Sequence, residues 1–250
     1  MMLTEIKKSR PLIITNKVLS TLKQLSKITE HLYLCSDTII AKVINNTIFA
    51  ETTFEISLDD ELGIDDLTAF IKLCHNGSEV FRDGEDIIII NGTSEVRLPH
   101  TPKESLHAPK SKIAIPKDCK PLLLFFINKA TITAIKKLNG KKYPSIHFIS
   151  DGKSIAIKAS SYNHYNSKGE NAEATHSIMI AKAELPTPTD IHYEIIVSIK
   201  NLSFLDAREQ EIGFYTKANE LVAAMTVKNP DIEFIVATES SSTLIDKATT

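Results

Sequence analysis

Two stretches of the chain read as the same short helix: NKVLSTLKQL at 16–25 and NKATITAIKKL at 128–138, 112 positions apart. Each sets apolar residues three and four positions apart along one side and lysines along the other. A chain of 250 residues can bury one large core or two of roughly 110–130 residues each. A repeat at this interval points to two, because a duplicated unit brings its own core with it.

Downstream of each copy, strand alternation dominates, which supports a duplicated unit. LYLCSDTIIAKVINNTIFAETTFEIS is rich in β-branched residues and is broken by Ser36-Asp37 and Asn45-Asn46, pairs that suit tight hairpin turns. LGIDDLTAFIKLC is expected to form a helix, with Asp65 and Asp66 at its positive end. SEVFRDGEDIIIINGTSEVRLP reads as three strands joined by Asp-Gly and Asn-Gly turns. After the second copy, SIHFISDGKSIAIKAS is a hairpin turning at Asp151-Gly152, SYNHYNSKGENAEA a loop and THSIMIAKAEL a strand. IHYEIIVSI is a strand running into a further helix, KNLSFLDA, and QEIGFYTK, LVAAMTVK and IEFIVATE close the series as strands. Between the halves, residues 99–118 hold four prolines, which remove backbone donors and fix φ, so an extended connector is expected there. The expected class is α+β, with one domain over 1–110 and a second over 111–250.

Bulk charge does not mark a nucleic-acid partner, since 29 basic and 31 acidic residues leave −2. Cutting after residue 118 leaves −3 in the first part (14 basic against 17 acidic) and +1 in the second (15 against 14). Any phosphate-directed charge must therefore be local. On a helical wheel, Val18, Leu19, Leu22 and Leu25 face inward, Ser20, Lys23, Gln24 and Lys27 outward, and Lys17 lies near the boundary. In the echo, Ile127, Thr131, Ala134, Ile135 and Leu138 face inward, Lys129, Thr133, Lys136 and Lys137 outward, with Lys141 and Lys142 just beyond. The helix from 65 turns Leu67, Phe70, Ile71 and Cys74 inward and Lys72 outward. The one from 199 does the same with Ile199, Leu202, Leu205 and Lys200, although Phe204 fits its wheel poorly.

One lysine face is an ordinary solvated face. Four of them, with acids gathered instead in strands and turns such as Glu51, Asp60, Asp83, Glu85, Asp86, Glu209 and Glu211, suggest one basic surface and one acidic surface. A basic concave surface attracts phosphate backbones without reading bases. The chain has only four arginines, and lysine, a hydrated point charge, makes more easily exchanged backbone contacts than arginine's fork.

Enzyme signatures are weak. Gly152-Lys153-Ser154 resembles a phosphate loop, but His147 stands where that loop needs a glycine. LDDELGIDD could be a nuclease carboxylate cluster, yet it reads as a turn and helix-start acids. The eight histidines, His164 beside Tyr165 among them, show no metal-binding spacing, and no nucleophile motif appears. Cys35, Cys74 and Cys119 are too scattered for a disulfide framework or zinc site and read as free thiols. No catalytic residue, metal or cofactor is expected. No apolar run approaches the ~18–20 residues that span a bilayer, and MMLTEIKKSR lacks a signal-peptide core, so a cytoplasmic protein is expected.

The order of elements in LKQLSKITEHLYLCSDTIIAKVINNTIFAETTFEISLDDELGIDDLTAFIKL resembles the first domain of the DNA polymerase sliding clamps of T-even-like bacteriophages. It runs helix, hairpin with an asparagine turn, Ala50-Glu51 on the next strand, then a D-L-x-x-F helix. YEIIVSIKNLSFLDAREQEIGFYTKANELVAAMTV followed by EFIVATE is similar to the end of that family's second domain. The resemblance implies a DNA-clamp fold: a closed homotrimeric ring of two-domain subunits, helices lining the inner face and antiparallel sheets outside. Lys17, Lys23, Lys27, Lys72, Lys129, Lys136, Lys137, Lys141, Lys142 and Lys200 would then face or flank enclosed double-stranded DNA. It further implies an ATP-dependent clamp loader, tethering of the replicative DNA polymerase, and a role in late viral transcription. Partner peptides would dock near Ile113, Ile115, Leu244 and Ile245. The longer N-terminus, the loop at 162–174 and the tail STLIDKATT depart from the family pattern. The alternative is a non-enzymatic, β-rich viral assembly protein with an internal duplication.

Overall fold

The computed structural model describes residues 10–35, 38–42, 48–53, 58, 60–106, 115–161, 176–185, 191–229, 232–240 and 242–245. The chain divides into two compact units, Met1–Ile113 with Pro230–Glu233, and Ala114–Asn229 with Phe234–Thr250.

The first unit runs β1 (Leu12–Ile14), α1 (Asn16–Leu25), β2 (Leu32–Cys35), β3 (Thr38–Lys42), β4 (Ile48–Thr53), β5 (Leu62–Ile64), α2 (Leu67–Leu73), β6 (Ser78–Asp83), β7 (Asp86–Asn91) and β8 (Ser94–Pro99). The second runs β9 (Lys120–Ile127), α3 (Lys129–Lys137), β10 (Ser145–Ser150), β11 (Ser154–Ser160), β12 (Ser177–Glu184) and β13 (His192–Ser198). A 3-10 turn (Ile199–Leu202), β14 (Gln210–Lys217), β15 (Glu220–Lys228), β16 (Glu233–Ala237) and β17 (Thr243–Ile245) complete it. Sheet order repeats strand for strand. β1-β6-β7-β8 in the first unit corresponds to β9-β14-β15-β16 in the second, and β5-β2-β3-β4 to β13-β10-β11-β12, with β17 added beside β13. The helix echo is thus one part of a duplicated topology.

Local chemistry explains the helix starts. Thr15 Oγ1 accepts from Val18 N at 3.2 Å, Asp66 Oδ1 from Ala69 N at 2.8 Å and Asn128 Oδ1 from Thr131 N at 2.9 Å, each satisfying an otherwise orphaned helix donor. The Asp-Gly and Asn-Gly hairpins form where expected. Gly84 and Gly92 take φ of 62° and 63° at the first loop position, which mirror-image turns reserve for glycine. At the third such hairpin Asp151 accepts from the amides of Lys153 and Ser154 and from the Ser154 hydroxyl, bonds that hold its carboxyl down at about 2.

Each unit closes its own core. Leu12, Ile14, Leu22, Leu25, Leu67, Phe70 and Val80 are buried in the first. In the second, Phe148 and Phe214 rings lie 5.3 Å apart, with Phe125 and Tyr193 against Phe214 at 6.0 and 6.4 Å. Each such ring contributes roughly 1.5–3 kcal/mol by leaving water.

Four expectations need correction. KNLSFLDA is not an α-helix. Leu202 and Phe204, two residues apart, would point to nearly opposite sides of one, whereas the 3-10 turn stops at Leu202 and both residues bury, Phe204 stacking on Phe234 at 4.0 Å. In α1 Gln24 is buried with Thr21, which lies three residues before it on the same flank of the helix. In α3 the buried residues are Thr131, Ile132 and Ile135, while Ala134 is exposed. Finally, the start of the connector is anchored. Pro99 ends β8, Thr101 N donates to Gly63 O at 2.9 Å and Leu106 is 2 % exposed. The turns at Ser36-Asp37 and Asn45-Asn46 and the loop of 162–174 lie outside the described residues, although the strands flanking both turns pair antiparallel.

Candidate nucleic-acid interface

The α-helices carry lysines without acids, whereas the strands carry acids and cations alike, the latter as at Lys158, Lys182 and Lys217. α1, α2, α3 and the Ile199–Leu202 turn hold seven lysines (Lys17, Lys23, Lys72, Lys129, Lys136, Lys137 and Lys200) and no aspartate or glutamate. Acids reside instead in strands and their turns, as at Glu51, Glu79, Asp83, Asp86, Glu95, Glu194 and Glu211. A lysine in the last turn of α1, α2 or α3 meets the negative end of the helix dipole, so the fold favours a cation there before any ligand arrives.

All ten predicted lysines are exposed. In the first unit Lys17 and Lys23 lie on α1, Lys27 in the turn behind it and Lys72 on the adjacent α2. In the second unit the segment that follows α3 abuts the 3-10 turn: a Cβ placed on Gly140 would lie 3.1 Å from Ile199 Cγ2, and Ile199 N donates to Pro144 O at 2.8 Å. Lys136 Nζ donates to Leu205 O at 2.7 Å, so this lysine ties α3 to the segment bearing Lys200 rather than swinging free. Lys142 Nζ sits 5.4 Å from the Tyr143 ring centroid. Of these cations, Lys17, Lys23, Lys27 and Lys72 lie on or just after α1 and α2 in the first unit, and Lys129, Lys136, Lys137, Lys141, Lys142 and Lys200 lie on or just after α3 or on the 3-10 turn in the second.

The four predicted docking residues are less coherent. Ile113 lies outside the described residues, and Ile115 stands half-buried ahead of β9. Leu244 and Ile245 belong to β17, in register with Tyr193 and His192. The sequence reading missed β17, along with β1, β5 and β9; three of these have only three residues, too few to show alternation.

The acids considered for a metal cluster are otherwise engaged. Asp66 caps α2, and Asp65 Oδ1 lies 2.8 Å from His31 Nδ1. Asp59 lies outside the described residues, and among those described no three metal-binding side chains converge. Gly152-Lys153-Ser154 turns a hairpin into β11, not a phosphate loop into a helix. One hydrogen-bonded chain had no sign in the sequence. Ser160 Oγ and His147 Nε2 lie 2.7 Å apart, and His147 Nδ1 and Glu194 Oε1 also 2.7 Å, linking β11, β10 and β13. Ser160 is 4 % exposed and offers no accessible nucleophile, so the chain acts as a cross-strand tie. The His147 hydrogen bond holds the Glu194 carboxyl below the usual carboxylate range against the opposing effect of burial.

This arrangement, two units of antiparallel sheets in the same strand order, each with an α-helix between its first two strands, is the fold of the DNA sliding clamps. The Helicobacter pylori beta clamp, solved with a DNA ligase peptide, superposes with a TM-score of 0.63 at 12% identity, over 96% of this chain and 68% of its own. A putative DNA polymerase III beta subunit from Eubacterium rectale gives 0.64 at 9% identity, over 93% of this chain and 66% of its own. The PCNA2–PCNA3 complex from Sulfolobus tokodaii gives 0.55 at 12% identity, over 92% of this chain and 99% of its own. The chain thus spans about two thirds of the beta-clamp chains and nearly all of the PCNA chain. No family model matches, and no curated protein matches.

Proposed function

We propose that this protein is a sliding clamp of the kind used by T-even-like bacteriophages, built from clamp domains over 1–110 and 111–250. It encircles duplex DNA and tethers a replicative DNA polymerase, and an ATP-dependent loader places it there. It acts in the host cytoplasm and doubles as a coactivator of late viral transcription. The observation that carries the reading is the coincidence of a clamp fold with acid-free, lysine-bearing helices in both units. Sliding requires contacts that hold phosphates without reading sequence and exchange readily, which exposed lysines provide. Retention then comes from closure of a ring, not from affinity.

A ring built head to tail needs one free strand edge from each unit. Among the described residues, β8, six residues long, ends the β1-β6-β7-β8 order of the first unit, and β12, eight residues long, ends the β13-β10-β11-β12 order of the second. β12 presents exposed Ile178 and Met179. Pairing β8 of one subunit with β12 of the next would close the homotrimer. The test is retention on bead-bound DNA after loading. The protein should stay on closed circles and escape when the circle is cut; equal loss from both forms would end the encirclement reading.

A further inference from the structure

Free strand edges invite other strands, and soluble proteins blunt them with charge, proline or shortness. β8 carries Glu95, Arg97 and Pro99, and β12 carries Lys182 and Glu184. β9 is different. It is eight residues long, paired only with β14 among the described residues, and its last six, 122–127, hold neither charge nor proline. On one face of it Leu124 is 45 % and Phe126 64 % exposed, the latter the highest exposure of any large apolar side chain among the described residues. Next to Leu124 stands Gly213, where a Cβ would lie 3.0 Å from Leu124 Cδ2 and 2.5 Å from Thr226 Oγ1. That absence of a side chain lets Leu124 lie close against the sheet and leaves Phe126 projecting beyond it.

We propose that β9 is a docking edge for an extended peptide of another protein, which adds to the sheet as a further strand and is flanked by acidic residues. Main-chain hydrogen bonds along 122–127 would supply affinity, and alternate apolar side chains of the peptide would cover Leu124 and Phe126. Charge selects this occupant. Exposed Lys117 and Lys120 stand at one end of the strand, where the acid Asp118 is taken by Lys217 Nζ at 2.8 Å; exposed Lys129 stands just past the other, where Glu211 of β14 lies in register with Phe126 and Glu209 is exposed. A second copy pairing antiparallel through the same edge would bring Lys117 of one chain towards Lys129 of the other, so self-association is disfavoured. The inference rests on the second unit alone and does not depend on the encircling of DNA.

The test uses the full chain and two fluorescent ten-residue probes with alternating valine and threonine, one ended by glutamates and one by lysines. The glutamate probe should bind and slow amide exchange over 122–127, with the lysine probe roughly tenfold weaker, as two or three screened ion pairs allow. Leu124→Lys and Phe126→Lys alter solvent-facing positions, so both variants should stay folded, as circular dichroism will show, and should lose binding. Equal binding of the two probes would overturn the proposal, as would exchange over 122–127 unchanged by the glutamate probe. Protection arising from concentration-dependent self-association without probe would overturn it too.

Discussion

At the scale of single residues, Lys136 and Lys137 separate two roles that the sequence assigned to one. They are adjacent, both exposed and both in the last turn of α3, yet Lys136 is tied to a backbone carbonyl, that of Leu205. Lys136→Met should cost of order 1 kcal/mol of unfolding free energy, read by urea denaturation of the second unit's transition. Lys137→Met should leave stability within about 0.5 kcal/mol and reduce affinity for a short duplex of any sequence. The wheel could not distinguish them, because a helix face says where a side chain points and not what it meets. Glu194 makes a second residue-scale case. Its folded carboxyl lies below the ordinary glutamate value through the His147 bond, so its contribution is present above about 4.3 and fades as pH falls through the folded value. Glu194→Gln should therefore flatten the acid limb of a stability–pH curve between neutral pH and about pH 3. An unchanged limb would mean that the His147 tie is energetically silent.

At the scale of elements, helix starts and glycine hairpins were legible because their causes are local: a capping side chain three residues upstream of its donor, a glycine where φ must be positive. The connector was legible only in part. Four prolines argued correctly that the described residues of 99–118 carry no long regular element, but not that the segment's first part packs on β5. Gly63 is the centre of that packing: its N–H donates to His100 Nδ1 at 3.1 Å, and a Cβ there would fall 1.8 Å from Thr101 O and 2.6 Å from Leu106 Cδ1. Because the first clash is with backbone, Gly63→Ala should cost at least about 2–3 kcal/mol and raise proteolytic cleavage within 100–106. Wild-type stability in that variant would show the segment to be loosely held.

At the scale of the molecule, the lysines of the acid-free α-helices set what an assembled ring would do in salt. Binding to an open duplex, which depends on displaced counterions, should fall steeply as salt rises, by a log–log slope of about −0.9 per phosphate contacted. Retention on a closed circle should be nearly indifferent to the same change, because topology and not charge then holds the protein. Light scattering should give three chain masses. A monomer at all concentrations, with the same salt slope on circles and open duplexes, would point to simple basic-surface binding.

By itself the sequence determined the duplicated α+β order, the lysine faces, the places of the three α-helices and most hairpins, because each depends on residues within a few positions of one another. The tertiary structure alone decided which polar residues lie inward, as at Gln24, and that Phe204 buries against Phe234 beyond a 3-10 turn. It also decided that Ser160, His147 and Glu194 meet across three strands, and that β9 is left as an edge with an uncharged run. Those features arise from contacts between segments tens of residues apart, and a side chain's burial or partner is a property of what packs against it.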